Sequence, residues 1–191
     1  MRYYNSDKPD EEIALLVQAG DVDLFGVLVE RYEKKMMRYA RKFLSNQEDI
    51  EDAIQGVFLK AYENIQSFDT KRKFSTWLYS IAHNKLVNVL KKNKRRSLLF
   101  FSDLDTFLPQ RFAHNNVHED ILDKEVRRML DKCLEKLDYK YKEPLVLYYF
   151  EDMDYKQISD IMRIPVSTVG VRLKRGRKAM KSILKDSNYN L

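Results

Sequence analysis

The chain is poor in the residues that staple or break a fold: its 191 residues include one cysteine, four prolines and five glycines. The lone Cys133 can form no internal disulfide, which excludes a small disulfide scaffold. Its place in a helical pattern predicts a buried small hydrophobe that suits a reducing cytosol. So little glycine and proline argues against a turn-rich all-β fold. No window approaches the roughly 18 consecutive apolar residues of a membrane span, and Met1 to Asp10 lacks the basic-then-apolar order of a secretory signal. A cytoplasmic protein with no membrane segment of its own is expected. Glycine-rich phosphate loops, a nucleophile beside a base, and paired catalytic acids are missing too. His114 and His118 are four apart but have no partners at metal-ligand spacing, so they read as solvated or partner-facing. Neither catalysis, a metal nor another cofactor is expected.

One absence is local. From Lys71 to Phe101 there is no Asp or Glu, while nine Lys/Arg accumulate among Phe74, Trp77, Leu78, Tyr79, Ile81 and Ala82. A second acid-free stretch, Arg163 to Lys185, holds eight Lys/Arg. The net charge of +6 therefore conceals four blocks: −5 over residues 1–70, +9 over 71–101, −5 over 102–160 and +7 over 161–191. Segregated fields offer some faces to phosphate and leave others for a protein partner. Two cationic surfaces suggest two grips on one polyanion.

Apolar periodicity is helical on both sides of one interruption. A short helix over Glu11 to Ala19 precedes a long amphipathic one from Leu24 to Leu44, with Glu30, Arg31, Glu33, Lys34 and Lys35 turned outward. After Ser45 and Asn46 the pattern resumes at Ile50, Ala53, Ile54, Val57, Phe58, Ala61, Tyr62 and Ile65. Glu48, Asp49, Glu51 and Asp52 cluster at that helix's start, where acids complement the dipole. A loop from Gln66 to Lys73 leads into the basic helix Phe74 to Arg96, with Phe74, Trp77, Leu78, Ile81 and Ala82 inward. Periodicity vanishes from Ser97 to about Glu119, a linker with Phe100, Phe101, Leu104, Phe107 and Leu108 in it. It returns at Ile121, and again from Pro144, a residue suited to a first helical turn.

Asp154 followed at three by Gln157 is a capping-box variant opening a short helix with Ile158, Ile161 and Met162 on one stripe. Arg163, Ile164 and Pro165 break it, and a basic helix follows from Val166. Short helix, three-residue turn and longer basic helix make a helix-turn-helix, its second helix shaped for a major groove. Ser167 and Thr168 stand where base edges or phosphates come within reach. Arg172 and Lys174 to Lys178 would hold the backbone. The fold class is thus all-α, two small helical domains joined by a flexible linker.

Three stretches resemble the extracytoplasmic-function (ECF) group of bacterial sigma-70 factors. Asp49 to Tyr62 is similar to the family's helix that binds the clamp of core RNA polymerase. Phe68 with Phe74 to Asn84 is similar to the segment that reads and opens the minus-ten element. Asp154 to Met162 with Ile164 to Arg177 is similar to the minus-thirty-five reader. The resemblance implies region 2 over residues 1–96, a linker over 97–120 and region 4 over 121–187. Implied polymerase contacts, on the clamp and flap, include Asp49, Glu51, Asp52, Gln55 and Phe58. Implied minus-ten contacts are Phe68, Lys71, Lys73, Asn84, Lys85, Asn88, Lys91 and Lys92. Implied minus-thirty-five contacts are Ser167, Thr168, Val171, Arg172, Lys174, Arg175 and Lys178. Partners would be core polymerase, promoter DNA both duplex and melted, and an anti-sigma factor.

Within that likeness Phe74 and Trp77 read as core, whereas Phe68, in the loop, is the expected base-stacking ring, with Asn84 and Asn88 closing a pocket for a flipped base. Departures stand out. Gly56 replaces a usual acid on the polymerase-binding helix, Asn88 a common aspartate, and lysines several arginines. Arg163 fills a turn site often held by glycine, implying a strained or altered turn, and Gly170 and Val171 stand where polar side chains often read bases. A rival reading is a two-domain regulator with a sensing or dimerising amino-terminal module. Another is a protein-interaction adaptor such as an anti-sigma antagonist, which leaves both basic surfaces unexplained.

Overall fold

The computed structural model describes residues 7–100 and 121–186. Two compact units divide the chain at residue 108, and the described residues contain eight α-helices and no strand. Of the expected linker over 97–120, residues 101–120 lie outside the described residues, as do His114 and His118.

The first unit holds α1 (Asp10–Gln18), α2 (Phe25–Arg41), α3 (Gln47–Glu63) and α4 (Phe74–Phe100). Short 3-10 turns precede α2, at Val22–Leu24, and follow α3, at Ile65–Ser67. Asn46 starts α3 because its side-chain oxygen accepts from the amides of Glu48 (2.8 Å) and Asp49 (3.1 Å), two of the donors a helix start leaves without partners. Four faces meet in a core of Ile13, Val17, Leu28, Met36, Tyr39, Ile54, Val57, Phe74, Leu78, Tyr79 and Leu86. Tyr39 packs edge-on against Tyr79, and Tyr32 against Phe74.

Three expectations change here. Arg31 is half-buried, not outward: its guanidinium pairs with Asp10 and donates to the Lys8 carbonyl at 2.9 Å. The basic helix runs on to Phe100, past the expected end at Arg96, because nothing in Ser97 to Phe100 breaks a helix. Tyr62, expected inward, is 43% exposed and touches Phe25 edge-on.

The second unit comprises α5 (Ile121–Glu135), α6 (Tyr139–Phe150), α7 (Tyr155–Met162) and α8 (Val166–Asp186). Helix α6 begins five residues before Pro144, a correction to the expected start. Asp138 caps it by accepting from the Lys140 amide at 3.2 Å, so the proline lies inside the helix and removes only one backbone donor. Cys133 is buried as anticipated, and burial pushes its thiol pKa up. Glu143 is fully buried, and the Tyr139 phenol pKa is raised first by burial and then by the Glu143 carboxylate.

The helix-turn-helix forms as its residues foretell. The Gln157 amide donates to Asp154 Oδ1 at 2.8 Å, and the Asp154 amide to Gln157 Oε1 at 2.9 Å. Arg163 closes α7 in the left-handed region, φ 53° and ψ 47°. Ser159 accepts the Ile164 amide on its carbonyl and donates its hydroxyl to the Ile164 carbonyl at 2.6 Å, which holds the three-residue turn in place.

Candidate nucleic-acid interface

On α8 two stripes oppose each other. Val169, Leu173 and Gly176 face inward. Ser167, Val171, Lys174 and Lys178, spaced at three and four, are exposed on the far side with Arg175 beside them. Thr168 and Arg172 lie half-buried on the flanks. Gly176 is where α8 meets α6: a β-carbon there would stand 2.9 Å from Leu145 Cδ1 and 3.2 Å from the Tyr141 carbonyl oxygen. Close approach at that glycine leaves the cationic stripe outward. Arg177 turns aside from it and donates to the Tyr149 hydroxyl at 3.4 Å.

On α4 the inward residues are Phe74, Leu78, Tyr79, Ala82 and Leu86. Opposite them run Trp77, Ser80, Asn84, Asn88 and Lys91, with Asn84, Asn88, Lys91 and Lys92 exposed. Asn84 donates to the Ser80 carbonyl at 2.9 Å. Lys71, Arg72 and Lys73 are exposed in the loop that precedes the helix.

Two of the residues expected at DNA in the first unit are less exposed than the rest. Phe68 is only 4% exposed, edge-on to Phe74 (5.5 Å) and tilted against Trp77 (4.9 Å). Of the two rings Trp77, expected in the core, is the less buried, lying half-buried at the head of the polar stripe. Helical spacing linked Trp77 to Phe74, but Phe68 folds back into the gap and takes the core position. Lys85 is half-buried, its ammonium lying over Gly56 of α3.

The acidic start of α3 is a separate surface. Glu51, Asp52 and Gln55 are exposed, and Glu51 accepts from Gln47 at 2.5 Å. Asp49 and Phe58 are half-buried, and Asp49 accepts from Asn93 Nδ2 at 3.2 Å. Leu59, 61% exposed, extends this face toward Tyr62, apolar residues that the periodicity alone did not single out as a surface. The signal was present: Asp52, Gln55, Leu59 and Tyr62 recur at three and four on a polar stripe. Among the described residues no group of three or more His, Cys, Asp or Glu is placed to hold a metal ion, and no helix is long and apolar enough to cross a membrane.

The chain is similar to known proteins in both units. Residues 28–96 match the family "Sigma-70 region 2", and residues 127–180 match "Sigma-70, region 4". The chain is 35% identical over 178 residues to the ECF RNA polymerase sigma factor SigW of Bacillus subtilis, covering 89% of this chain and 94% of that protein. It is 31% identical to the ECF RNA polymerase sigma-E factor of Escherichia coli K12, covering 90% and 92%. Among solved structures it resembles CnrH in complex with the cytosolic domain of CnrY, with a TM-score of 0.68, 25% identity, and coverage of 95% and 99%. A sigma factor RpoE from Bartonella quintana, in complex with the anti-sigma factor NepR, shares the fold at a TM-score of 0.67, 20% identity, and coverage of 84% and 96%. With both regions matched in order and two curated relatives aligned over most of their length, the chain belongs to the sigma-70 family as an RNA polymerase sigma factor of the ECF group.

Proposed function

We propose that the two cationic stripes divide promoter recognition between them while the α3 face holds core polymerase. The observation that carries this reading is segregation: exposed cations on the 71–73 loop, α4 and α8, against exposed carboxylates and Leu59 on α3. Ser167, Val171, Lys174, Arg175 and Lys178 enter the minus-thirty-five major groove, with Thr168 and Arg172 at its edges. Val171 offers an apolar contact suited to a thymine methyl. Lysines and arginines track phosphate.

The minus-ten surface must favour separated strands. Extruding a base costs a few kcal/mol, so the open state prevails only if the protein binds it more tightly than the duplex. Trp77 supplies the stacking surface, a contact worth about 1–3 kcal/mol per base. Asn84 and Asn88 supply carboxamides for base edges, and Lys71, Lys73, Lys91 and Lys92 bind the displaced strand's phosphates. Phe68 buttresses Trp77 from beneath, and Lys85 braces α4 on α3.

Glu51, Asp52 and Gln55 with Phe58 and Leu59 dock on the polymerase clamp, Asp49 holding α4 against that face, and the second unit meets the flap. Such a factor works in the cytoplasm beside polymerase and is restrained by an anti-sigma partner, as RpoE of Bartonella quintana was crystallised with one. Run-off transcription with core enzyme on a promoter library tests the whole reading. Start-site-specific transcripts that fall with Trp77→Ala at the opening step and with Lys174→Ala at upstream binding support it. No association with core enzyme, or no directed start, refutes it.

A further inference from the structure

The loop between α3 and α4 is tied to α1 at both ends. The Gln18 carboxamide donates both of its hydrogens to main-chain oxygens, Ile65 O at 2.6 Å and Phe68 O at 2.8 Å. Gln66 answers from the loop by donating Nε2 to the Gln18 carbonyl at 3.1 Å. Two helical turns earlier on the same face of α1, Glu11 Oε1 accepts the Phe74 amide at 2.9 Å. That amide is one of the partnerless donors at a helix start, and Lys73, the residue before it, carries no acceptor with which to cap it.

Between these anchors lie only Asp69 to Lys73, a tight turn in which Asp69 accepts the Lys71 amide at 3.0 Å on its side chain and the Arg72 amide at 2.9 Å on its carbonyl. Lys71, Arg72 and Lys73 thus project from a segment with few conformations left. Helix α1 is held in place by buried Ile13, Ala14 and Val17 and by Asp10, which pairs with Arg31 and accepts from the Tyr32 hydroxyl. The Gln18 and Glu11 bonds reach only the main chain of the loop and of the first residue of α4.

We infer that α1 is a template for the minus-ten reading loop, and that Gln18 is a positioning residue that sets base selectivity there. This rests on the proposed role of the loop and α4. A rigid binding group distinguishes bases better than a mobile one, because each wrong base meets a fixed mismatch and cannot be accommodated by movement.

The test is run-off transcription by holoenzyme assembled from the full chain, on templates carrying every single-base substitution across the minus-ten element. Gln18→Ala, and Gln18→Glu, which offers no donor to the two carbonyls, narrow the spread between best and worst bases by about tenfold, the value of one hydrogen bond. Dependence on the minus-thirty-five element and affinity for core enzyme stay as in wild type. Hydrogen exchange at the amides of residues 69–73 rises. Glu11→Gln, which keeps an acceptor for the Phe74 amide, retains the spread that Glu11→Ala loses. An unchanged spread in both Gln18 variants overturns the inference. If the Gln18 variants do not fold, equal spreads for Glu11→Gln and Glu11→Ala overturn it. A Lys71→Ala/Lys73→Ala double variant separates the two levels: if it alters the spread and the Gln18 variants do not, only the template role fails. If neither does, the minus-ten reading falls as well.

Discussion

Lys85 of α4 lies across Gly56 of α3: a β-carbon added to the glycine would stand 2.8 Å from Lys85 Cε and nearer still to Nζ. The glycine is a slot for the lysine's far end, and the pair explains why a helix of 17 residues tolerates glycine in its middle. The lysine end is flexible, so a methyl group displaces it at small cost. Gly56→Ala is expected to raise stability by a few tenths of a kcal/mol, since the helical gain of about 1 kcal/mol is partly offset by moving Lys85. In a Lys85→Ala background the full gain appears. Denaturant midpoints of the four variants of this cycle decide it, and equal gains in both backgrounds would show that the two residues do not couple.

The opposite sign holds at Gly176. There the nearest atoms are the branched end of Leu145 and a main-chain oxygen, and a backbone cannot swing aside. Gly176→Ala is expected to destabilise the second unit by about 1–3 kcal/mol through overpacking. Gly170→Ala, whose methyl meets only Tyr155 at 3.6 Å, stabilises by up to about 1 kcal/mol. Thermal melts of the two variants, compared side by side, test the contrast.

Arg163 holds a left-handed conformation in the turn of the helix-turn-helix, with its side chain exposed. L-residues other than glycine pay roughly 1–2 kcal/mol there, so Arg163→Gly is expected to stabilise the second unit by about 1 kcal/mol. A lowered midpoint would mean that the arginine side chain contributes more than its backbone costs.

Salt dependence measures the α8 stripe. Holoenzyme carrying Lys174→Ala and Lys178→Ala together should bind promoter duplex more weakly across all sequences. The slope of log affinity against log salt should become shallower by about 2, one for each phosphate left without its lysine. Unchanged slope would remove these lysines from the interface.

Alkali should loosen the first unit. Burial, and then the Asp10 carboxylate that accepts its hydroxyl at 2.5 Å, raise the Tyr32 phenol above its ordinary pKa of 10.0. The folded chain therefore keeps a proton that the unfolded chain gives up above that pH. The stabilisation is complete below pH 10 and lost as pH rises beyond it. Tyr32→Phe costs about 1 kcal/mol at neutral pH and flattens the alkaline decline. Denaturant titrations at neutral pH and above pH 10 check both points.

Most helices were legible because apolar residues recur at three and four, although Leu145 to Phe150 is one unbroken apolar run, and the Asp154–Gln157 box announced its helix by chemistry confined to four residues. The α8 surface was legible for the same reason: its inward and outward stripes follow from spacing alone. What spacing does not encode is which residue from a distant segment fills a gap. Phe68 is more buried than Trp77 because the loop ring nine residues away took the inner place. Lys85 is half-buried because a glycine on another helix made room for its end. Pro144 was misleading as a start signal because Asp138 offered an earlier cap.

The hydrogen bond from the Phe74 amide to Glu11 spans 63 positions of chain. Contacts so remote in sequence form late, after loop closure has been met by other interactions. The first turn of α4 is thus completed only when the chain's earliest described helix has returned across the whole unit. A lesion that detached α1 would therefore leave that turn without its acceptor, whereas α3 would keep its own cap in Asn46.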